Sequence, residues 1–174
     1  MTPSVRLSLN YCNSSLRTPL YLAVLEQDEA AAWLLIAASA DLEAQGPIGT
    51  PLHVAAQHNS VAMVRLLLKN RAQLDPRNRE LATPLALAAW YGALDAAKVL
   101  VAEGADVEAK NVRGQTPLFY AAVGPNAVNL VPLLIDQGAE INVRDATGIT
   151  ALTMAINHDR QPAIEILRAH GGVE

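Results

Sequence analysis

Aromatic side chains are scarce in this chain: two tryptophans, four tyrosines and one phenylalanine among 174 residues. Apolar content is nevertheless 51%, so the buried mass must come from alanine and leucine. There is a single cysteine, Cys12, which leaves no partner for an intrachain disulfide and favours a reducing, intracellular setting, cytoplasmic or nuclear. The longest strongly apolar run, Ala30–Ala40, is too short to span a bilayer. Residues Met1–Cys12 lack the continuous apolar segment of a secretory signal. Asn13-Ser14-Ser15 matches a glycosylation acceptor, but without a secretion signal it reads as unused. Basic residues are not in excess: the net charge is −4, which argues against general affinity for nucleic acid.

Chemistry-bearing motifs are missing as well. Histidine occurs at 53, 58, 158 and 170, with no pair at metalloprotease spacing. His53 and His58 are five apart and do not share a helix face. There is no CxxC, no glycine-rich phosphate loop and no nucleophile elbow. The expectation is a non-enzymatic chain with no cofactor and no metal.

What the chain does have is a phrase repeated at almost equal intervals. Thr18-Pro19-Leu20, Thr50-Pro51-Leu52, Thr83-Pro84-Leu85, Thr116-Pro117-Leu118 and Thr150-Ala151-Leu152 are separated by 32, 33, 33 and 34 residues. A period of that length marks a stacked supersecondary unit in which each copy buries its apolar face on the next. Aligning on the threonine gives units 13–44, 45–77, 78–110, 111–144 and 145–174, after an N-terminal segment 1–12.

Each unit predicts turn, helix, turn, helix. Threonine is a good N-cap, and proline suits the first helical position, where a missing N–H costs nothing. Small residues follow at Ala23, Ala55-Ala56, Ala88-Ala89, Ala121-Ala122 and Ala155, so first helices of neighbouring units can approach closely. A second helix carries Leu34-Leu35-Ile36, Leu66-Leu67-Leu68, Val99-Leu100-Val101, Leu133-Leu134-Ile135 and Ile164 with Ile166-Leu167. Gly104, Gly138 and Gly171 then offer left-handed C-caps. Ser39 and Arg71 hold that place in the first two units, which predicts strained or differently closed caps. Pro132 and Pro162 fall in or near second helices and should shorten them or sit in their first turns.

Thr50-Pro51-Leu52-His53-Val54-Ala55-Ala56 resembles the signature of the ankyrin repeat, as does Asn111-Val112-Arg113-Gly114-Gln115-Thr116-Pro117-Leu118 continuing to Gly138-Ala139-Glu140-Ile141-Asn142. The resemblance covers residues 13–174. It implies an all-α repeat solenoid of stacked helix-turn-helix units with β-turn or hairpin tips. The departures are local. The family's histidine survives only as His53, replaced by Tyr21, Ala86, Phe119 and Thr153. Its turn glycine appears only as Gly114 and Gly148. The fourth unit carries an extra residue near Val123-Gly124-Pro125-Asn126, which predicts an irregular inter-helix turn. Residues 5–12 resemble the tail of an earlier repeat, Leu9-Asn10 matching Ile141-Asn142, and no polar capping unit is visible. The ends therefore read as a slice of a longer array or as covered by something else.

The resemblance places partner contact on the concave side, on turn tips and the exposed face of the first helices. Carried onto this chain, that surface holds Arg17, Gln57, His58, Arg77, Arg79, Trp90, Tyr91, Lys110, Arg113 and Arg144 among others. Trp90-Tyr91 is an adjacent aromatic pair in the central unit, and both residue types are enriched at interface hot spots. The bland alternative is that Trp90 packs against Gly92 or the next tip. The surface carries six basic side chains against Glu26 and Glu80, or +4, leaving −8 for the rest of the chain. A basic lip on an acidic body steers acidic partners, unless its cations pair with Glu80 or Glu108. His58 and His158 lie along the same row, where histidine could confer pH sensitivity or be merely solvated. Trp33 falls either outward on its second helix or, one residue out of register, in the core.

The reading that follows is a protein-recognition module with an acidic partner and no membrane contact, nucleic acid being disfavoured. The alternatives are a regulatory or targeting segment of a larger enzyme or channel, and a small-molecule binder or enzyme with a concave-face pocket. Tyr91, His58, Tyr120 and Cys12 are the groups available to that last reading.

Overall fold

The computed structural model describes residues 10–174. Within them ten helices form five pairs: α1 (Pro19–Leu25) and α2 (Glu29–Ala37), α3 (Pro51–Gln57) and α4 (Val61–Lys69), α5 (Pro84–Tyr91) and α6 (Leu94–Ala102), α7 (Pro117–Val123) and α8 (Ala127–Asp136), α9 (Ala151–Asn157) and α10 (Gln161–Ala169). First helices stack on first helices and second on second, giving two layers and one continuous core. There is no β-strand among the described residues. Leu9 and the residues before it, to which the earlier-repeat reading partly refers, lie outside them. Asn10 lies inside, and its Oδ1 accepts from the Asp41 amide at 2.9 Å.

The small-residue positions explain the close stack. Ala55, Ala56, Ala88, Ala89, Ala121, Ala122 and Ala155 are all buried, between the large aliphatic side chains Leu52, Leu85 and Leu118. Every repeat threonine is buried and begins its helix in extended conformation. Thr18, Thr83 and Thr150 accept from the amide three residues on. Thr50 is tied instead by His53, whose Nδ1 accepts from the Thr50 amide at 3.1 Å. The Thr116 hydroxyl is buried with no hydrogen-bond partner among the described residues.

The second helices close alike whether or not a glycine is present. The amides of Ala40, Ala72, Ala105, Ala139 and Gly172 each reach back to a carbonyl five residues earlier. The residue before each takes the left-handed region: φ is 68° at Ser39 and 70° at Arg71, against 92°, 88° and 85° at Gly104, Gly138 and Gly171. The cap geometry wins over the residue, and a side chain there is strained. Arg71→Gly is therefore expected to stabilise the fold by about 1 kcal/mol and raise the melting temperature by roughly 2–4 °C. Thermal unfolding followed by circular dichroism checks this, and a lowered midpoint would refute it.

Pro132 corrects a sequence expectation. It lies inside α8 and does not shorten it; at ten residues α8 is the longest helix. The carbonyl that Pro132 leaves free belongs to Val128, whose side chain is exposed, so water can take the orphaned acceptor. Pro162 sits in the first turn of α10, as expected. The extra residue of the fourth unit does make its turn irregular. Gly124 is extended, at φ −67° and ψ 165°, where Gln27, Asn59, Gly92 and Asp159 are left-handed. A Cβ at Gly124 would lie 2.5 Å from the Ala89 carbonyl, so glycine is what lets this turn sit against the end of α5. Trp33 faces outward with Leu34, at 59% and 61% exposure.

Candidate functional site: an aromatic cleft on the concave face

The tips are built by one side chain apiece. Asn13, Asn78, Asn111 and Asp145, each five residues before the repeat threonine, accept through Oδ1 from the amides two and four residues on. This folds a short polar loop back on itself, the hairpin-like tip, without any strand. Adjacent tips are also joined: the Val112 amide donates to the Glu80 carbonyl and the Ala146 amide to the Arg113 carbonyl. The second unit has Gln45 at this place. There Gly46 closes on Gly49 under the Tyr21 ring, which leaves no room for a Cβ.

Between the tips and the first helices lies a half-open cleft of about 420 Å³. Glu80, Trp90 and Tyr91 come from the third unit, Asn111, Arg113, Gln115 and Tyr120 from the fourth, and Met154 and His158 from the fifth. Trp90 lies in the last turn of α5 and meets the Tyr120 ring edge to face, with centroids 5.7 Å apart at 83°. Both outer aromatics remain open: Trp90 is 46% exposed and Tyr91 49%. The Trp90 ring is not in the core; its aromatic partner is Tyr120, one repeat on.

Beneath the aromatics runs a polar chain. Asp145 Oδ2 accepts from Gln115 Nε2 at 3.0 Å, and Asn111 Nδ2 reaches Gln115 Oε1 at 3.3 Å and the Tyr120 hydroxyl oxygen at 2.7 Å. Burial opposes charge on Asp145, but hydrogen bonds from the Thr147 hydroxyl, the Gln115 carboxamide and the Thr147 and Ile149 amides hold its pKa below the ordinary carboxylate value. Asn111, Gln115 and Asp145 are each nine-tenths or more buried.

The sequence-predicted residues separate into groups. Trp90, Tyr91 and Arg113 line the cleft. Arg79 is exposed on the same tip as Glu80, and Lys110 is exposed just before Asn111. Arg77 and Arg144 have structural ties. Arg77 Nη1 donates to the carbonyls of Leu81 and Lys110, and Arg144 donates to those of Gly148 and Glu174. Their charge stays on this face while part of each guanidinium fork is spent on backbone, Arg77 locking two tips together and Arg144 tying its tip to Glu174. Gln57 ends α3 and His58 caps it, one repeat away, and neither lines the cleft; Gln57 Oε1 is buried with no partner among the described residues. Arg17, half-buried on the first tip, has its Nε in the same state. Among the described residues no lip cation pairs with Glu80 or Glu108; the ion pair found there is Arg168–Glu174. His58 and Cys12 do not reach the cleft, which holds Tyr91 and Tyr120 of the groups proposed for a catalytic pocket. The sequence reading missed Asp145 and Met154; the five-residue offset from threonine was the signal for Asp145.

Comparison with known proteins agrees with the geometry. A family model described as ankyrin repeats (3 copies) matches residues 38–111 and 108–174. The chain belongs to the ankyrin-repeat family. It is 42% identical over 66 residues to the human protein named Ankyrin repeat and SOCS box protein 5, and 41% identical over the same length to the proteins of that name from Oryctolagus cuniculus and Mus musculus. Each match covers 38% of this chain and 20% of the relative, so the similarity reaches about one fifth of the relatives' length. Ankyrin repeats generally mediate protein–protein interaction, typically without catalysis. No helix among the described residues is long and apolar enough to cross a membrane.

Proposed function

We propose that this ankyrin stack is a non-enzymatic recognition module that holds an acidic segment of another protein along its concave face. The observation that carries this is the cleft itself. Two half-exposed aromatics stand in the central unit on a rigid scaffold, next to Arg113 and close in sequence to Arg79 and Lys110. Exposed Trp and Tyr supply anchors, and cations without ion pairs attract carboxylates and speed encounter. The polar chain from Asp145 to Tyr120 forms part of that interface.

Affinity capture from native lysate, in low and high salt, tests the reading with Arg79→Glu/Arg113→Glu as the comparison. An acidic protein retained by the wild type, weakened by salt and lost from the charge-reversed variant is the expected result. Equal retention by both would remove the electrostatic part of the proposal.

A second reading, a targeting segment within a longer protein, draws on the relatives, whose printed name adds a SOCS box to the repeats. Capture by the isolated repeats would be the same in either case, so the size of the native gene product decides between them.

A further inference from the structure

We propose that the cleft selects a carboxylate on the bound segment, and that the Tyr120 hydroxyl is the group that reads it. The inference rests on the recognition reading above and names the chemistry of its central contact.

The hydrogen-bond directions in the polar chain are fixed from both ends. Asp145 accepts amide hydrogens at Oδ1, and its carboxylate, held ionised, can only accept at Oδ2 as well, so Gln115 must turn its Nε2 toward it, as observed at 3.0 Å. That leaves Gln115 Oε1 facing Asn111. Asn111 is oriented independently: its Oδ1 accepts from the amides of Arg113 and Gln115, which can only donate, at 2.8 and 2.9 Å. Its Nδ2 must therefore point the other way, to Gln115 Oε1 and to Tyr120. The Tyr120 oxygen is an acceptor in that 2.7 Å contact, and its own proton has no acceptor among the described residues.

Every carboxamide oxygen in the network is already engaged, so the proton of Tyr120 is directed to the cleft or to whatever occupies it. A buried chain that ends in an outward donor favours a ligand that brings an acceptor and disfavours one that brings another donor. Arg113 lines the same cleft and makes the favoured acceptor an anionic one. Glu80, the acidic side chain of the lining, is exposed, so solvent screens its repulsion of an incoming carboxylate. Trp90 and Tyr91 cover the methylene stem of the incoming side chain, which suits glutamate or aspartate on an extended segment.

The test uses the whole chain and two defined probes, an acetylated and amidated hexaglutamate and its hexaglutamine counterpart, titrated at one ionic strength. The readout is the Trp90 indole N–H resonance. The hexaglutamate should shift that resonance and bind about tenfold more tightly than the hexaglutamine. Tyr120→Phe keeps the ring against Trp90 and removes only the hydroxyl; it should lower hexaglutamate affinity about tenfold. Equal affinity for the two peptides, no response at Trp90, or wild-type affinity in Tyr120→Phe would each overturn the proposal. If Tyr120→Phe binds hexaglutamate like the wild type while Trp90→Ala/Tyr91→Ala, followed by titration calorimetry because it lacks that indole, loses it, the recognition face stands and the role of Tyr120 falls. A captured native partner retained unchanged by Trp90→Ala/Tyr91→Ala would instead move the recognition face elsewhere.

Discussion

Acidification from neutral pH to pH 4 will cost the fold about 3 kcal/mol through one side chain, His53. This imidazole is fully buried at the start of α3. Its Nδ1 accepts from the Thr50 amide at 3.1 Å, with the Thr50 hydroxyl at 3.0 Å, and its Nε2 donates to the Ala82 carbonyl of the next repeat at 3.0 Å. The backbone amide can only donate, so the neutral Nε2–H tautomer is the one that fits. A second proton on Nδ1 would face the Thr50 N–H and break the cap. Burial, only partly offset by the Ala82 carbonyl, lowers the pKa from 6.5 to about 4. The sign follows: the unfolded histidine binds its proton first, so His53 leaves stability intact above about pH 6.5 and removes it progressively down to about pH 4. Urea unfolding midpoints at several pH values check it. His53→Gln should be less stable at pH 7 and should show a shallower decline between those limits. Asp75, whose pKa burial raises, acts with the opposite sign, so the difference between the two proteins is the diagnostic quantity. Parallel pH curves would refute the assignment.

Trp90→Ala/Tyr91→Ala should weaken binding of the captured partner by about 2–4 kcal/mol, the range of strong hot spots. The helix that carries both residues is held by Leu85, Ala86, Ala88 and Ala89, all buried and untouched by the change. The fold cost is the edge-to-face contact with Tyr120, about 1 kcal/mol. Binding loss at unchanged far-UV circular dichroism is therefore a statement about the surface. Titration calorimetry of the wild type, each single variant and the double variant separates the two anchors. Affinity unchanged in the double variant would place the site off this cleft.

The repeat was legible in the sequence because its signals are local. A threonine N-cap, a proline where no N–H is needed and an alanine face each act within one helix, so spacing alone recovers units and helix order. Trp90 and Tyr91 were legible for the same reason: the end of a first helix is a fixed address in the repeat. What was not legible depends on the neighbouring unit. Arg77 looks like Arg79 in the sequence, and both are exposed, yet Arg77 is tied to carbonyls of two tips and Arg79 makes no such bond among the described residues. Pro132 looked like a helix terminator, and only the solvent-facing position of Val128 shows why the helix runs on. Asn111 entered only as part of the repeat signature and Asp145 not at all, because their joint task depends on Gln115 reaching across 30 residues of sequence.

A ladder of side-chain acceptors joins successive units away from the cleft. Glu43 takes the Gln73 amide, Asp75 the Asp106 amide, Glu108 the Glu140 amide and Asn142 the Val173 amide. Each rung spans one repeat and none spans two. Cooperativity in this molecule is therefore a chain of nearest-neighbour couplings, like spins in a row. Weakening a rung in the middle does not soften the whole array evenly. It loosens one interface, which the stacked helices still hold, and the array separates into two independently melting blocks only when that stacking is weakened as well.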